Sequence, residues 1–169
     1  MIHYLHREQN IPASIETVWK YFSDPKNLNL ITPPDMNFEI IAGGEAEMYE
    51  GQIIEYRVEF FRGVKSLWLT EIAHVRDFEY FVDEQRVGPY RFWYHEHRFE
   101  KTPSGVKMID HVAYAPPFGM LGDLVNALWI HSKLEHIFDF RFQKINELLG
   151  AANDELDYPS DFDRQTCPP

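Results

Sequence analysis

The chain lacks cysteine pairs and any concentration of positive charge. Its 169 residues contain one cysteine, Cys167, so no intramolecular disulfide can form and a cytoplasmic, reducing setting is expected. The net charge is −11, and no basic run offsets it. Because such a charge repels phosphate backbones and anionic lipid headgroups, we expect no nucleic-acid partner.

Long apolar segments are also absent. The longest apolar runs span only a few residues, far fewer than the roughly 20 that a membrane-spanning helix requires. The opening "MIHYLHREQN" has no basic region followed by an apolar one, so it does not resemble a signal peptide. We expect no stable membrane insertion. What the chain does contain is 44% hydrophobic and 15% aromatic residues, which is typical of a globular domain.

One change in composition divides the chain. Residues 1–150 carry periodic apolar patterns, whereas residues 151–169 are acidic, contain proline and have no apolar periodicity. We therefore predict a single domain over residues 1–150 and a C-terminal tail over residues 151–169.

The apolar period changes along the domain. An alternating segment, "MIHYLHREQNI", predicts a first strand, and "IETVWKYF" predicts a helix with Ser14 as its N-cap. "KNLNLI" is interpreted as a second short helix. Six strand-like segments separated by turn residues follow: "MNFEIIA", "EGQIIEYRVEFF", "SLWLTEIAHV", "FEYFVDEQ", "YRFWYHEHRFEK" and "VKMIDHVAYA".

The last thirty residues of the domain, from Met120 to Leu149, predict one long helix. Its apolar positions recur at helical spacing: Leu121, Leu124, Leu128, Phe138, Phe142, Ile145 and Leu149. This helix is the only element large enough to cover the apolar face of the sheet. The order of elements predicts an α+β fold, a helix grip, in which a curved antiparallel sheet wraps around the C-terminal helix and leaves a cavity between them.

The last two strands carry the residues most suggestive of a site. A four-residue turn, Thr102 to Gly105, sets their pairing, and side chains at alternate positions share a face. The predicted opposed pairs on the inner face are Trp93 with Tyr114, His95 with Val112, His97 with Asp110, and Phe99 with Met108.

The sequence "HEH" admits three functional interpretations besides a purely structural cluster. His95 and His97 with Asp110 are possible metal ligands, but same-face strand positions lie about 6.5–7 Å apart, and we expect no metal and no cofactor. Asp110 and His97 are candidate catalytic residues, an acid–base pair. The preferred interpretation is that these side chains supply the few polar groups of a mainly apolar binding cavity.

Three segments resemble one superfamily. They are "GPYRFWYHEHRF" from Gly88, "DHVAYAPPFG" from Asp110 and "IFDFR" from Ile137. Together with the N-terminal "IPASIETVWKYFSDPKNLNLITPPDMNF", they are similar to the SRPBCC superfamily of helix-grip proteins. That superfamily includes START lipid-transfer domains, the birch pollen allergen and polyketide cyclases. The most similar branch is a bacterial one labelled "cell division inhibitor-like".

The resemblance implies a ligand held between the sheet and the long helix. It puts five residues on the cavity wall: Trp93, His95, His97, Asp110 and Tyr114. In the helix motif it implies that Phe138 packs in the core and that Arg141 closes a salt bridge rather than contacting a ligand.

These observations lead to one preferred function and one alternative. We predict that the domain carries or senses a small to medium hydrophobic molecule, such as a lipid, isoprenoid, quinone or polyketide. The predicted ligand-binding residues are Trp93, His95, His97, Asp110, Val112 and Tyr114. The alternative is a cyclase or dehydratase that uses His97 and Asp110. Whether Asp83 and Gln85 face the same cavity stays open.

Overall fold

The elements follow the predicted order in a computed structural model, which describes residues 1–45, 47–61, 63–117 and 129–150. The strands are β1 His3–Ile11, β2 Glu39–Ala42, β3 Ile53–Phe61, β4 Val64–Arg76, β5 Tyr80–Val87, β6 Phe92–Thr102 and β7 Gly105–Ala115. The helices are α1 Ile15–Phe22, two 3-10 helices at Pro25–Ile31 and Pro34–Met36, and α2 His131–Leu149. The predicted tail and the helix positions Leu121, Leu124 and Leu128 lie outside the described residues.

The seven strands form one antiparallel sheet in the order β1-β7-β6-β5-β4-β3-β2. Register shifts interrupt the β2–β3, β3–β4 and β4–β5 pairings. Such bulges bend a strand and increase its twist, so the sheet curves. The predicted α+β helix-grip fold is confirmed.

The pairing of β6 with β7 agrees with the predicted register at every position. Trp93 lies opposite Tyr114, and His97 lies opposite Asp110. Burial alternates along β6, where Trp93, His95 and His97 are buried and the residues between them are more exposed. The short turn and the two-residue side-chain period together fixed this register.

Helix α1 begins as the sequence predicted. The Ser14 hydroxyl accepts a hydrogen bond from the backbone N–H of Thr17 at 3.2 Å, which satisfies one of the free N–H groups of the first turn. The helix then buries Val18 and Trp19, and the Trp19 ring meets the edge of the Phe99 ring. This packing fills one end of the sheet's inner face.

Helix α2 buries a row formed by Leu134, Phe138, Ile145 and Leu149. Phe142, which was predicted on the same row, is 45% exposed. That prediction was wrong because Arg141, rather than Phe142, faces the sheet at this turn of the helix. Within the described ranges, no helix is both long enough and apolar enough to cross a membrane.

Candidate functional site

A cavity lies between the inner face of the sheet and the helices that cover it. The space open to the centre of a water-sized sphere is about 170 Å³, against the roughly 10–15 Å³ that one water molecule needs. Its described lining residues come from four parts of the chain. They are the end of α1 with the first 3-10 helix and its flanking residues (Phe22, Ser23, Asp24, Pro25, Leu28, Ile31, Thr32), the second 3-10 helix and the loops after it (Met36, Phe38, Met48), β3 to β6 (Ile54, Tyr56, Val58, Trp68, Thr70, Ile72, Phe81, Asp83, Trp93, His95, His97) and α2 (Leu134, Ile137, Phe138, Arg141).

The position of the cavity follows from where α2 packs. Leu134 and Phe138 of α2 belong to one core cluster with Trp93, Val112 and Tyr114, which are on β6 and β7. The cavity lies beside this contact, between α2 and the inner faces of β3, β4 and β5. Those faces form the mainly apolar wall.

Four titratable side chains form a buried group, the histidine–aspartate cluster: Asp83, His95, His97 and Asp110. Nε2 of His95 lies 2.8 Å from Oδ1 of Asp110, and its Nδ1 lies 3.4 Å from Oδ2 of Asp83. Nε2 of His97 lies 3.0 Å from Oδ2 of Asp83. Its Nδ1 lies 2.9 Å from Oδ1 of Asp110, off the direction of a hydrogen bond, so that contact is electrostatic.

Neighbouring rings hold this cluster in place. The His95 and His97 ring centroids are 3.7 Å apart, and the Phe81 ring stacks on the other side of His97 at 4.2 Å. The Trp93 indole N–H donates to Oδ1 of Asp83 at 3.2 Å. The cluster is therefore packed and cross-linked from β5, β6 and β7.

The pKa shifts within the cluster reflect burial and mutual contacts. Burial raises the pKa of Asp110 and Asp83, but the facing histidines outweigh it and hold both pKa values below the ordinary range. Burial lowers the pKa of His97, but its contacts with the Asp110 and Asp83 carboxylates outweigh burial, so the pKa is raised. Burial and the neighbouring His97 lower the pKa of His95.

This geometry limits what the cluster can do chemically. A general acid or base needs a ring nitrogen directed at the substrate, yet all four ring nitrogens of His95 and His97 face a carboxylate. The predicted His97–Asp110 pair therefore leaves no nitrogen directed into the cavity.

The cluster also bears on the question of a metal. Asp83, His95 and His97 place one ligand atom each within 4.8 Å of one another. Because the two histidine rings converge, the spacing argument against a metal does not hold. The carboxylate oxygen that could join them as a ligand on the cavity side belongs to Asp83 rather than Asp110. The absence of a metal stays a prediction.

Two further charged side chains, Asp24 and Arg141, lie on the cavity wall outside the cluster, and the Asp24 carboxylate accepts a hydrogen bond from the backbone N–H of Lys26. Arg141 comes from α2. Its guanidinium lies over the Phe138 ring at 5.1 Å. Nε and Nη1 are buried, and neither has a hydrogen-bond partner in the part of the chain that the structure describes. The expected salt bridge of Arg141 is not formed among these residues, because the residue faces the cavity instead.

The predicted ligand-binding residues divide into two groups. Trp93, His95 and His97 line the cavity. The structure corrects the placement of the other three, which are buried but are not on its wall. Asp110 lies behind the two histidine rings, and Leu134 and Phe138 pack in one cluster with Val112 and Tyr114.

Four further wall residues were not predicted to face the cavity. Tyr56 and Trp68 line it and at the same time pack in a core cluster. Asp83 was left open, and Arg141 was expected to be paired. A signal for Asp83 was present: a three-residue turn at Gly88–Tyr90 would have placed it opposite His95, where it lies.

No protein-family model matches the sequence, and no curated protein matches it. Solved structures do match. The protein TTHA0849 from Thermus thermophilus is 19% identical, with 89% of this chain and 99% of that chain covered and a TM-score of 0.68.

Two further structures have descriptive names. The ZhuI aromatase/cyclase from Streptomyces sp. R1128 is 13% identical, covers 86% of this chain and 92% of its own, and has a TM-score of 0.67. The Bet v 1 allergen Ara h 8.0201 is 16% identical, covers 88% and 98%, and has a TM-score of 0.64. At these identities the likeness establishes the fold alone. The chain has a helix-grip fold.

Proposed function

We propose that the domain binds a small or medium hydrophobic molecule, as a carrier or sensor, in the cavity between sheet and α2. The observation that carries this proposal is an unfilled, mainly apolar space with a few polar groups on one wall. Such a composition is typical of ligand sites, where apolar contacts supply affinity and a few polar groups orient the ligand. Lipids, isoprenoids, quinones and polyketides fit this description.

A second candidate function is that of a cyclase. One neighbour is named an aromatase/cyclase, and the same cavity in this chain is a place for such chemistry. However, both ring nitrogens of His95 and of His97 lie within 3.4 Å of a carboxylate oxygen of Asp83 or Asp110. Binding without chemistry therefore fits the geometry better than acid–base catalysis by His97 and Asp110.

The experiment fills the cavity and measures binding of N-phenyl-1-naphthylamine, a neutral apolar dye whose fluorescence rises on leaving water. Thr70 lies on the cavity wall and is 3% exposed, so Thr70→Trp places a large ring in that space. Leu67 is on the same strand and 46% exposed, so Leu67→Trp is the matched control.

We expect the wild type and Leu67→Trp to bind the dye equally and Thr70→Trp to bind it at least about tenfold more weakly, a loss of about 1.4 kcal/mol. Circular dichroism checks that both variants are folded. Equal binding by a folded Thr70→Trp variant would place the dye elsewhere and contradict the proposal.

A further inference from the structure

The charged groups of the cavity differ in how they are paired. The Asp83 carboxylate accepts hydrogen bonds from Trp93 and His97. Arg141, by contrast, has two buried guanidinium nitrogens, Nε and Nη1, with no partner among the described residues. Among those residues, the guanidinium has its cation–π contact with Phe138, at 5.1 Å.

An arrangement of this kind is unfavourable in the empty protein. Buried polar atoms are nearly always hydrogen-bonded, and a buried charge is normally paired. A cation–π contact leaves the N–H groups themselves unsatisfied. A guanidinium presents its N–H donors in a fixed planar fork that fits a carboxylate or phosphate through two parallel hydrogen bonds.

We propose that Arg141 is the anchor for an anionic group, so the ligand is an amphipathic anion with an apolar body and a carboxylate or comparable acidic end. This inference rests on the proposed function, because it specifies the ligand of the same cavity. The apolar body contacts the wall formed by residues such as Trp68, Thr70 and Ile72. The anionic end pairs with Nε and Nη1 of Arg141.

The first test needs no ligand. In delipidated protein, Arg141→Met removes a cation with two buried nitrogens that have no partner among the described residues, and it keeps an unbranched side chain in its place. We expect the Tm to rise, by about 2–4 °C for a chain of this size. A Tm equal to or below that of the wild type would show that the guanidinium does not destabilise the empty protein. That result would overturn the proposal.

The second test compares two probes of equal chain length, decanoate and 1-decanol, by displacement of N-phenyl-1-naphthylamine at pH 7.5. We expect the wild type to prefer decanoate by about tenfold or more, as charge-assisted hydrogen bonds allow. Arg141→Met should lose this preference, and Arg141→Lys should recover part of it. Arg98→Met is the control, since Arg98 is an exposed arginine already paired with Glu96.

The outcomes separate the two proposals. If the wild type does not bind the dye at all, hydrophobic ligand binding itself fails and the anchor fails with it. If the dye binds but neither probe displaces it, only the anchor is overturned. If the wild type and Arg141→Met bind both probes with equal affinity, the cavity binds apolar molecules and only the anchor role of Arg141 is overturned. Loss of the preference in Arg98→Met as well would likewise overturn it, because the effect would then follow from net charge.

Discussion

The histidine–aspartate cluster and Arg141 are both charged groups at one cavity, yet they have opposite surroundings. Within the cluster, every histidine nitrogen lies 2.8–3.4 Å from a carboxylate oxygen. At Arg141, two buried nitrogens have no partner in the described part of the chain. The histidines of the cluster thus face carboxylates, whereas Arg141 has no carboxylate partner among the residues that the structure describes.

From this difference we expect the cluster to stabilise the fold and Arg141 to recognise the ligand. The cluster, in which each histidine nitrogen faces a carboxylate, holds β5, β6 and β7 together, and removing one member leaves another charge buried without compensation. The Nε and Nη1 donors of Arg141, which have no partner among the described residues, gain hydrogen bonds only when a ligand binds. The predictions below test whether the two roles are divided in this way.

The largest expected effect is on the cluster. Asp110→Ala removes the carboxylate that lies beside both histidines and leaves His97 beside a single carboxylate. We expect the free energy of unfolding to fall by about 3–5 kcal/mol, as for a broken buried ion pair. Urea denaturation measures it.

Asp139→Ala, at an exposed position of α2, is the control and should stay within about 0.5 kcal/mol of the wild type. A loss below about 1 kcal/mol for Asp110→Ala would show that the cluster does not hold the sheet together.

A smaller effect concerns pH. The pKa of His97 is raised above its ordinary 6.5. Its contribution to the free energy of unfolding is therefore fully present below pH 6.5 and is lost as the pH rises through the folded-state pKa. The pKa of His95 is lowered, so its contribution is present above 6.5 and is lost as pH falls. The cluster therefore favours greatest stability near pH 6.5.

Denaturation from pH 5.5 to 8.5 tests this prediction. The wild type should lose stability above about pH 6.5, and His97→Gln should lose less over the same range. His136→Gln, which changes an exposed histidine of α2, should behave as the wild type. A wild-type stability that rises steadily to pH 8.5 would contradict the assignment of His97.

The smallest expected effect is that of added metal ions on the Tm. If the cluster is complete without an ion, protein prepared without a histidine tag should contain no stoichiometric zinc, iron or copper. Added Zn²⁺ should leave the Tm unchanged. Elemental analysis that finds one metal per chain, lost on His95→Ala, would instead assign the ligand atoms of Asp83, His95 and His97 to a metal site.

The sequence predicted the fold and half of the site for clear physical reasons. The β6–β7 register followed from a four-residue turn and a two-residue side-chain period, so His95, His97 and Asp110 were correctly placed on one buried face. The orientation of Asp83 stayed open because either face of "FVDEQ" was able to face inward, although a three-residue turn at Gly88–Tyr90 predicts the observed pairing with His95.

Whether a residue reaches the cavity was harder to predict than the face of the sheet on which it lies. Asp110, Val112 and Tyr114 do point inward, but the histidine rings and α2 separate them from the cavity. Whether the helix buries Arg141 or Phe142 depends on a rotation of a few tens of degrees, which an apolar pattern does not define. The resemblance implied a salt bridge for Arg141, and only the structure shows that its Nε and Nη1 have no partner among the described residues.

The most direct test of the account is a crystal structure of the wild-type protein with decanoate. We predict the alkyl chain between α2 and the inner faces of β3 to β5, with its carboxylate within hydrogen-bond distance of Nε or Nη1 of Arg141. A cavity filled by the protein's own side chains, or decanoate bound with its carboxylate away from Arg141, would contradict the account.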